Sequence, residues 1–363
     1  MDRILMDATS IAEKFLIAGK ITTIVPWGDG HINRTFRVTT TARDYVLQQI
    51  NTTVFRDVTA LIRNIDLVTG YLTDAGHETL ELIPTLDGGL YYEDEAHGCY
   101  RMYVFINNTV SYSLVDSAET LESTAEAFGE FQNQLAGFDA SLLAETIPLF
   151  HHTPNRYVLF DAAVDADRIG RVAGVSEEIG FFEERRAEAS VVTDCLADGS
   201  IPVRVTHNDT KINNILIDAD TGTARAIIDL DTVMPGSLLY DFGDALRTGG
   251  AVAAEDEQDV ALVGFSLELF EAYCRGFIRA LRDSITPREL ELLPDSVRLM
   301  TLECGLRFLT DYLDGDNYFG IAYPEHNLVR ARNQMALVRD LEEKMSRMRE
   351  IVREVSGEFG LNY

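Results

Sequence analysis

Val203-Arg-Val-Thr-His207-Asn-Asp209-Thr-Lys211-Ile-Asn213-Asn214-Ile-Leu-Ile217 passes from apolar to polar and back, and Ala226-Ile-Ile-Asp229-Leu-Asp231 follows after a turn at Asp220-Thr-Gly222. The pattern predicts a strand that delivers His207 and Asp209 into a polar loop, a second strand over 215–217, and a third that ends at Asp229. Asp209, Asn214 and Asp229 are then expected to converge at strand ends.

Upstream, from Ile21 to about Asn107, the chain is strand-like: 22–26, 35–39 and 45–50 are β-rich runs separated by turn residues. Asp57 to Leu72 interrupts them with Val58, Leu61, Ile62, Ile65 and Val68 at helical spacing. Leu82 to Thr85 and Leu90 to Tyr92 flank Asp87-Gly88 as a hairpin, and 100–106 is a further apolar strand. Beyond Val110 the periodicity is mainly helical, as in 118–135 and 265–281. The expected class is α+β, two-lobed, with a small β-rich N-lobe (1–107) and a larger, mainly helical C-lobe (108–363).

At the start, Ser10-Ile-Ala-Glu13 has capping-box spacing ahead of Phe15, Leu16 and Ile17, with Gly19 as the stop, which predicts a short surface helix there. At the end, Met335, Val338, Leu341, Met345, Met348, Val352 and Val355 form one apolar stripe. Docking on the helical lobe, hence a monomer, is the favoured outcome; a dimer through this helix is the other.

Composition narrows the classes. Hydrophobic residues make up 46% and charged residues 25% of 363, ordinary for a globular chain and long enough for two lobes. A formal net charge of −28 repels nucleic-acid phosphates and anionic membranes, so neither is an expected partner. The acids read as solubilising rather than as a trap for a cationic substrate. Cys99, Cys195, Cys274 and Cys304 lie far apart without a C-x-x-C pair, as buried thiols of a reducing compartment do. The first residues lack a secretory pattern, and no apolar run approaches the roughly 20 residues of a membrane span, so the expected location is cytoplasmic.

The chemistry follows from residue type and spacing. Phosphoryl transfer needs a carboxylate to orient or deprotonate a hydroxyl, oxygen ligands for Mg²⁺, and a cation near the moving phosphoryl group. Asp209 suits the base, Asn214 and Asp229 suit the metal, and Lys211 can reach the γ-phosphate of ATP. H-x-D-x-K-x-x-N is the spacing of the kinase catalytic loop. His207 reads as a brace for that loop. Asp231 points the same way as Asp229, toward a second metal or its waters.

These residues resemble the catalytic core of the aminoglycoside phosphotransferase and choline kinase superfamily, and within it the bacterial N-acetylhexosamine 1-kinases. Further stretches carry the likeness: Trp27-Gly-Asp-Gly-His-Ile-Asn33, Tyr45-Val-Leu-Gln-Gln, Asp241-Phe-Gly-Asp244 and Glu303-Cys-Gly-Leu-Arg-Phe-Leu309. The resemblance implies a protein-kinase-like two-lobed fold and ATP-dependent phosphorylation of the anomeric hydroxyl of a small sugar, N-acetylglucosamine or N-acetylgalactosamine. It implies that Asp209 also contacts the sugar, that Arg307 and Tyr318 face it, and that Asp241 braces the loop.

Position in the chain puts Gly28, Gly30, His31 and Asn33 in the loop that would cover the phosphates, and 103–106 at the hinge that would meet adenine through its backbone. Gln48 stands where a protein kinase carries the phosphate-pairing Lys. Either Mg²⁺ and Lys211 suffice, or the chain is a catalytically silent nucleotide-binding scaffold. A kinase of the same fold acting on choline, homoserine, methylthioribose or an aminoglycoside is the remaining alternative.

Overall fold

The structure is a computed structural model; it describes residues 3–28, 32–94, 96–112 and 117–361, the backbone alone for 3–7. In chain order the elements are α1 (Arg3–Ala12), β1 (Ile21–Pro26), β2 (Arg34–Thr40), β3 (Asp44–Ile50), α2 (Val58–Asp74), β4 (Tyr92–Asp94), β5 (Gly98–Val104) and β6 (Thr109–Val110). There follow α3 (Ala118–Gln134), α4 (Thr153–Ala166), α5 (Ser176–Arg185), α6 (Val191–Asp198), β7 (Arg204–Thr206), β8 (Ile215–Asp218), β9 (Ala224–Ile227) and β10 (Met234–Gly236). The chain ends in α7 (Leu238–Gly249), α8 (Leu267–Leu281), α9 (Pro287–Asp314) and α10 (His326–Glu358). This is the protein-kinase-like α+β fold.

Two compact units make it up: Met1–Ser111 with Phe138–Pro148 and Asn214–Met234, and Tyr112–Gly137 with Leu149–Asn213 and Pro235–Tyr363. The first is built on an antiparallel sheet in the order β1-β2-β3-β5-β4. Alternation along β2 and β3 sends Phe36, Val38, Tyr45 and Leu47 inward, where Met102 of β5 and Ile11, Ala12 and Phe15 meet them. A second, three-stranded sheet runs β6-β8-β9. Asn64 of α2 is wholly buried and holds the adjoining loops, donating to the carbonyls of Ala144 (2.8 Å) and Val233 (3.0 Å).

Two local expectations fail here. The N-terminal helix ends at Ala12 instead of starting at Ser10, because Ile11, Ala12 and Phe15 belong to one apolar patch on the sheet, and Phe15 leaves the helix to bridge Thr85. Asp87-Gly88 does make a turn, with Gly88 at φ 89°, yet no two-stranded hairpin forms. Leu82 bridges Tyr103 instead, and only Tyr92–Asp94 becomes a strand, on the far edge of β5.

In the second unit, helices pack around two apolar clusters. Phe242, Phe270, Tyr273 and Phe277 fill the first, and Phe160, Phe182, Phe308 and Leu309 the second. The terminal stripe is absorbed by these clusters: Leu341, Met348, Val352 and Val355 are buried in the first and Met335 and Val338 in the second, while Met345 is half-buried. Among the described residues no helix is long and apolar enough to cross a membrane. Cys99, Cys195, Cys274 and Cys304 are free and buried.

The crossing of α3 and α8 depends on glycine. A Cβ on Gly276 would lie 2.1 Å from the Glu122 carbonyl oxygen, a backbone atom that cannot swing aside. Gly276→Ala should therefore destabilise the chain by roughly 1–3 kcal/mol, as overpacking does. Gly180→Ala, at a helical glycine with nothing within 4 Å, should be neutral or stabilising by up to about 1 kcal/mol. Thermal melting of the two variants checks the close approach; equal shifts would refute it.

Candidate active site

In the second unit, β7 is buried throughout and anchored by Arg204, whose guanidinium meets both Glu289 oxygens at 2.6 and 2.8 Å. The loop after it is held from below by Asp241 in the first turn of α7. Asp241 Oδ1 accepts the Asn208 N–H (2.7 Å), and Oδ2 accepts the His207 N–H (2.9 Å) and the Gln132 amide (2.5 Å). Burial pushes this carboxyl above its ordinary range, against the pull of His207 and of the three N–H donors. Asn208 sits at φ 63°, a left-handed conformation that the two flanking hydrogen bonds hold in place.

His207 is fully buried, its ring edge-on to Phe128 (5.6 Å) and Phe131 (6.0 Å), and its Nδ1 accepts the Asp209 N–H at 3.3 Å. It is a brace, as its place in the loop suggested. Asp209 is half-buried, and its Oδ1 lies 2.5 Å from Lys211 Nζ. Burial works to lower the Lys211 pKa, but the Asp209 carboxylate outweighs it and the net shift is upward, so the side chain stays a cation.

Around this loop the second unit assembles further polar groups, several of them without an expected role. Asp244 pairs with Arg247, which also contacts Glu255. Burial would raise the Asp244 carboxyl; Arg247, His151 and Lys211 together hold it below the usual range. His151 Nδ1 and Thr153 Oγ1 meet the buried Glu303 carboxylate at 3.0 and 2.6 Å. Burial again acts upward on Glu303, and His151, Arg156 and Arg307 bring it down.

Two of this unit's cavities bear on the expected residues. One of about 570 Å³ is lined by Lys211, Asn213, Arg247, Tyr273 and Asn333 among others. The other, about 330 Å³, brings Arg307 and Tyr318 together beside Arg156, Arg168, Asp311 and Phe319. The Arg307 guanidinium carbon is 5.7 Å from the Tyr318 ring and 5.4 Å from that of Phe319. Asp311 is spent on structure: its carboxylate accepts the N–H groups of Asn317, Tyr318 and Phe319 and the amide of Asn327.

The first unit carries the other expected ligands. Asn214 and Asp229 flank the paired strands β8 and β9: Ile215 is in register with Ile227, and the Ile228 N–H donates to the Asn214 carbonyl at 2.9 Å. Asp229 takes φ 60°, left-handed backbone that a non-glycine residue adopts only when its surroundings impose it. One carboxylate and one amide are hard oxygen donors, a set that suits Mg²⁺ completing its shell with phosphate and water. Among the described residues no group of three or more His, Cys, Asp or Glu could hold a metal by itself.

Residues expected to face phosphate prove to be tied to one another. Gln48 Oε1 accepts from Arg101 Nε (3.0 Å) and Nη2 (2.9 Å), while its Nε2 donates to Thr35 (3.1 Å). Arg101 Nη1 is 2.5 Å from Asp231 Oδ1, and the Asn33 amide donates to Asp231 Oδ2 at 2.6 Å while accepting the Asn51 N–H. Asp231 is thus committed to Arg101 and Asn33, and the expectation that it reaches a second metal is corrected. Gly28 is at φ 75° with open space around it; Gly30 and His31 lie outside the described residues. Arg101 went unnoticed in the sequence, though one charged residue in the apolar run of β5 was the available signal.

Residues 23–279, more than half of the chain, match the phosphotransferase enzyme family. Among solved structures the chain is similar to the wild-type aminoglycoside 2'-phosphotransferase-IIIa in its GDP complex, with TM-score 0.61, 12% identity, and 93% of this chain and 99% of that one covered. It is similar also to a microcompartment-associated aminopropanol kinase (TM-score 0.57, 12% identity, 95% and 98% covered). A third is the ethanolamine kinase of Plasmodium vivax (TM-score 0.55, 13% identity, 86% and 82% covered). At these identities the structural likeness establishes the fold.

The depressed carboxyls give a pH signature. Groups whose folded pKa lies below the unfolded value stabilise fully above about pH 4.5 and lose that contribution as pH falls through the folded value. Glu303→Gln, which leaves His151, Arg156 and Arg307 without their anion, should cost about 3 kcal/mol at pH 7. Its urea midpoint should then fall less steeply than the wild type's between about pH 5 and 3. Parallel curves would refute the ionised, paired state of Glu303.

Proposed function

The chain belongs to the phosphotransferase enzyme family, and from that premise we propose that it is an ATP- and Mg²⁺-dependent kinase for N-acetylhexosamines. The reaction would transfer the γ-phosphoryl group to the anomeric hydroxyl of N-acetylglucosamine or N-acetylgalactosamine, giving the sugar 1-phosphate. One observation carries the reading: a partly exposed carboxylate, Asp209, on a loop fixed by buried hydrogen bonds and paired with an exposed cation, Lys211.

In this scheme the anomeric oxygen, aligned by Asp209, bonds to the γ-phosphorus as the bond from that phosphorus to the β-bridging oxygen breaks. The hydroxyl proton passes to Asp209. Lys211 exchanges its partner, from the Asp209 carboxylate to the γ-phosphoryl oxygens, and so frees the base when nucleotide arrives. Asn214 and Asp229 would hold Mg²⁺, which supplies charge neutralisation at the phosphates. Catalysis is then chiefly placement, and a loop braced by Asp241 keeps the base where placement matters.

The acceptor reading rests on charge and donor type. Three cations, Arg156, Arg168 and Arg307, line the smaller cavity against two acids, Asp311 and Asp314, of which Asp311 is occupied by backbone N–H groups. Such a pocket opposes a cationic acceptor and offers N–H donors to hydroxyl and acetamide oxygens, with the Tyr318 ring available for stacking. Aminoglycosides, ethanolamine and aminopropanol, named for the similar structures, are cations; a neutral amino-sugar derivative fits this lining better.

ADP release should be fastest with N-acetylhexosamines and weak with free hexoses, choline and homoserine, and ³¹P NMR should place the phosphate on the anomeric carbon. Asp209→Asn should lower kcat by roughly 10²–10⁴-fold, the contribution of a positioned base. Arg307→Leu should raise KM for the sugar with little change for ATP. Another acceptor winning the panel overturns the sugar, and absence of ADP release from every acceptor overturns the kinase.

A further inference from the structure

Gln48 is the departure of this chain from the kinase pattern, in which a Lys on the third strand pairs with phosphates and with an acid. Uncharged as it is, Gln48 is fully engaged, and what it engages is a guanidinium. Arg101 stands directly opposite it in the β3–β5 register and is 1% exposed. Gln48 takes the Nε and Nη2 edge through one oxygen, and Asp231 takes Nη1. Buried as it is, that guanidinium faces protein partners and not open solvent.

We propose that Arg101 is the relocated cation of the nucleotide site, moved from β3 to β5, and that it is a positioning residue acting through Asp231 on the Asp229 turn. The inference rests on the kinase reading above. Asp231 lies in the 3₁₀ turn Leu230–Thr232 that begins at Asp229, so fixing its carboxylate fixes the turn. The Asn33 amide fixes the same carboxylate from its other oxygen, and Thr146 Oγ1 donates to the Asp231 carbonyl at 3.3 Å. With both sides of the turn held, Asp229 keeps its left-handed backbone and presents one carboxylate for the metal.

This arrangement explains why Lys is absent at 48. An ammonium has donors only and cannot accept the two N–H groups that Gln48 Oε1 accepts. It would also set a second cation against Arg101 across the strand pair, where like charges repel. Arg rather than Lys at 101 has an equally direct reason: a planar fork meets Gln48 and Asp231 at once, which a single ammonium cannot do.

The proposal yields an inversion that a simple repair of the kinase pattern would not. Gln48→Lys, which restores the expected Lys, should weaken Mg²⁺-ADP binding by about tenfold or more, the usual consequence of disturbing a group that orients a metal ligand. Binding of ADP without metal should change little. Calorimetric titration with and without Mg²⁺ reads the difference and needs no turnover. Arg101→Gln should show the same loss, and the double variant Gln48→Lys/Arg101→Gln should recover part of it. Arg101→Lys should fall between.

Melting curves report whether each variant folds. If Arg101→Gln does not, Asp231→Asn removes the charge partner while keeping shape and should show the same metal-specific loss. Tighter nucleotide binding by Gln48→Lys, or equal losses with and without Mg²⁺, overturns the proposal. A wild-type chain that binds Mg²⁺-ADP but phosphorylates nothing overturns the kinase reading instead.

Discussion

The hydrogen-bonded carboxylate of Asp241 is the constraint on which the loop after β7 depends. A buried anion without donors would cost several kcal/mol, so the chain is committed to bringing N–H groups to it. It does so with the backbone of His207 and Asn208 and the side chain of Gln132, residues from the loop and from α3. Asp241 also sits in the first turn of α7, where the helix dipole favours negative charge. The loop cannot shift without breaking these bonds together, and that cooperativity holds Asn208 left-handed and Asp209 facing outward. His207 adds an apolar anchor between Phe128 and Phe131.

A second buried anion plays the corresponding part in the other unit. Asp231 fixes the turn that starts at Asp229 as Asp241 fixes the loop that reaches Asp209, but its partners are the side chains Arg101 and Asn33 rather than backbone N–H groups. The difference has a consequence for substitution. Backbone donors remain whatever residues occupy the loop, whereas a side-chain clamp is only as durable as the particular pair that forms it. Gln48 belongs to that pair as a third member, which makes its identity a condition of the clamp and not a lapse from the kinase pattern.

Local periodicity carried most of the secondary structure. Period-two runs became β1, β2 and β3, helical spacing became α2, α3 and α8, and the terminal stripe became the buried face of α10. The failures occurred where a distant partner decided. Ser10 has the spacing of a cap, but Ile11 and Phe15 were claimed by the sheet, and the would-be hairpin at Asp87-Gly88 gave way to bridges from Leu82 and Thr85 to other segments. Spacing within short segments pointed to Asp209, Lys211, Asn214 and Asp229, the residues that the proposed scheme uses. It could not reveal pairs such as Gln48 with Arg101, Asn33 with Asp231, or His151 with Glu303, which lie 53, 198 and 152 residues apart. Such pairings leave no periodic trace; for Gln48 and Arg101 the available hint is a polar residue inside an apolar strand.

Net charge bears on how an anionic substrate is received. With a formal charge of −28 the chain's overall field disfavours free nucleotide, but salt screens that field over about 8–10 Å. Local cations therefore decide, and each unit holds its own: Lys211 against Asp209 and Arg247 between Asp244 and Glu255 in the second, Arg101 against Asp231 in the first. Of these only Lys211 is substantially exposed, its side chain 53% accessible, and only it can trade its carboxylate for a phosphate without uncovering a buried anion. The buried cations cannot make that trade, so their contribution is to shape. They hold the acids in place, and the exposed one is the cation that the proposed scheme turns toward the phosphate.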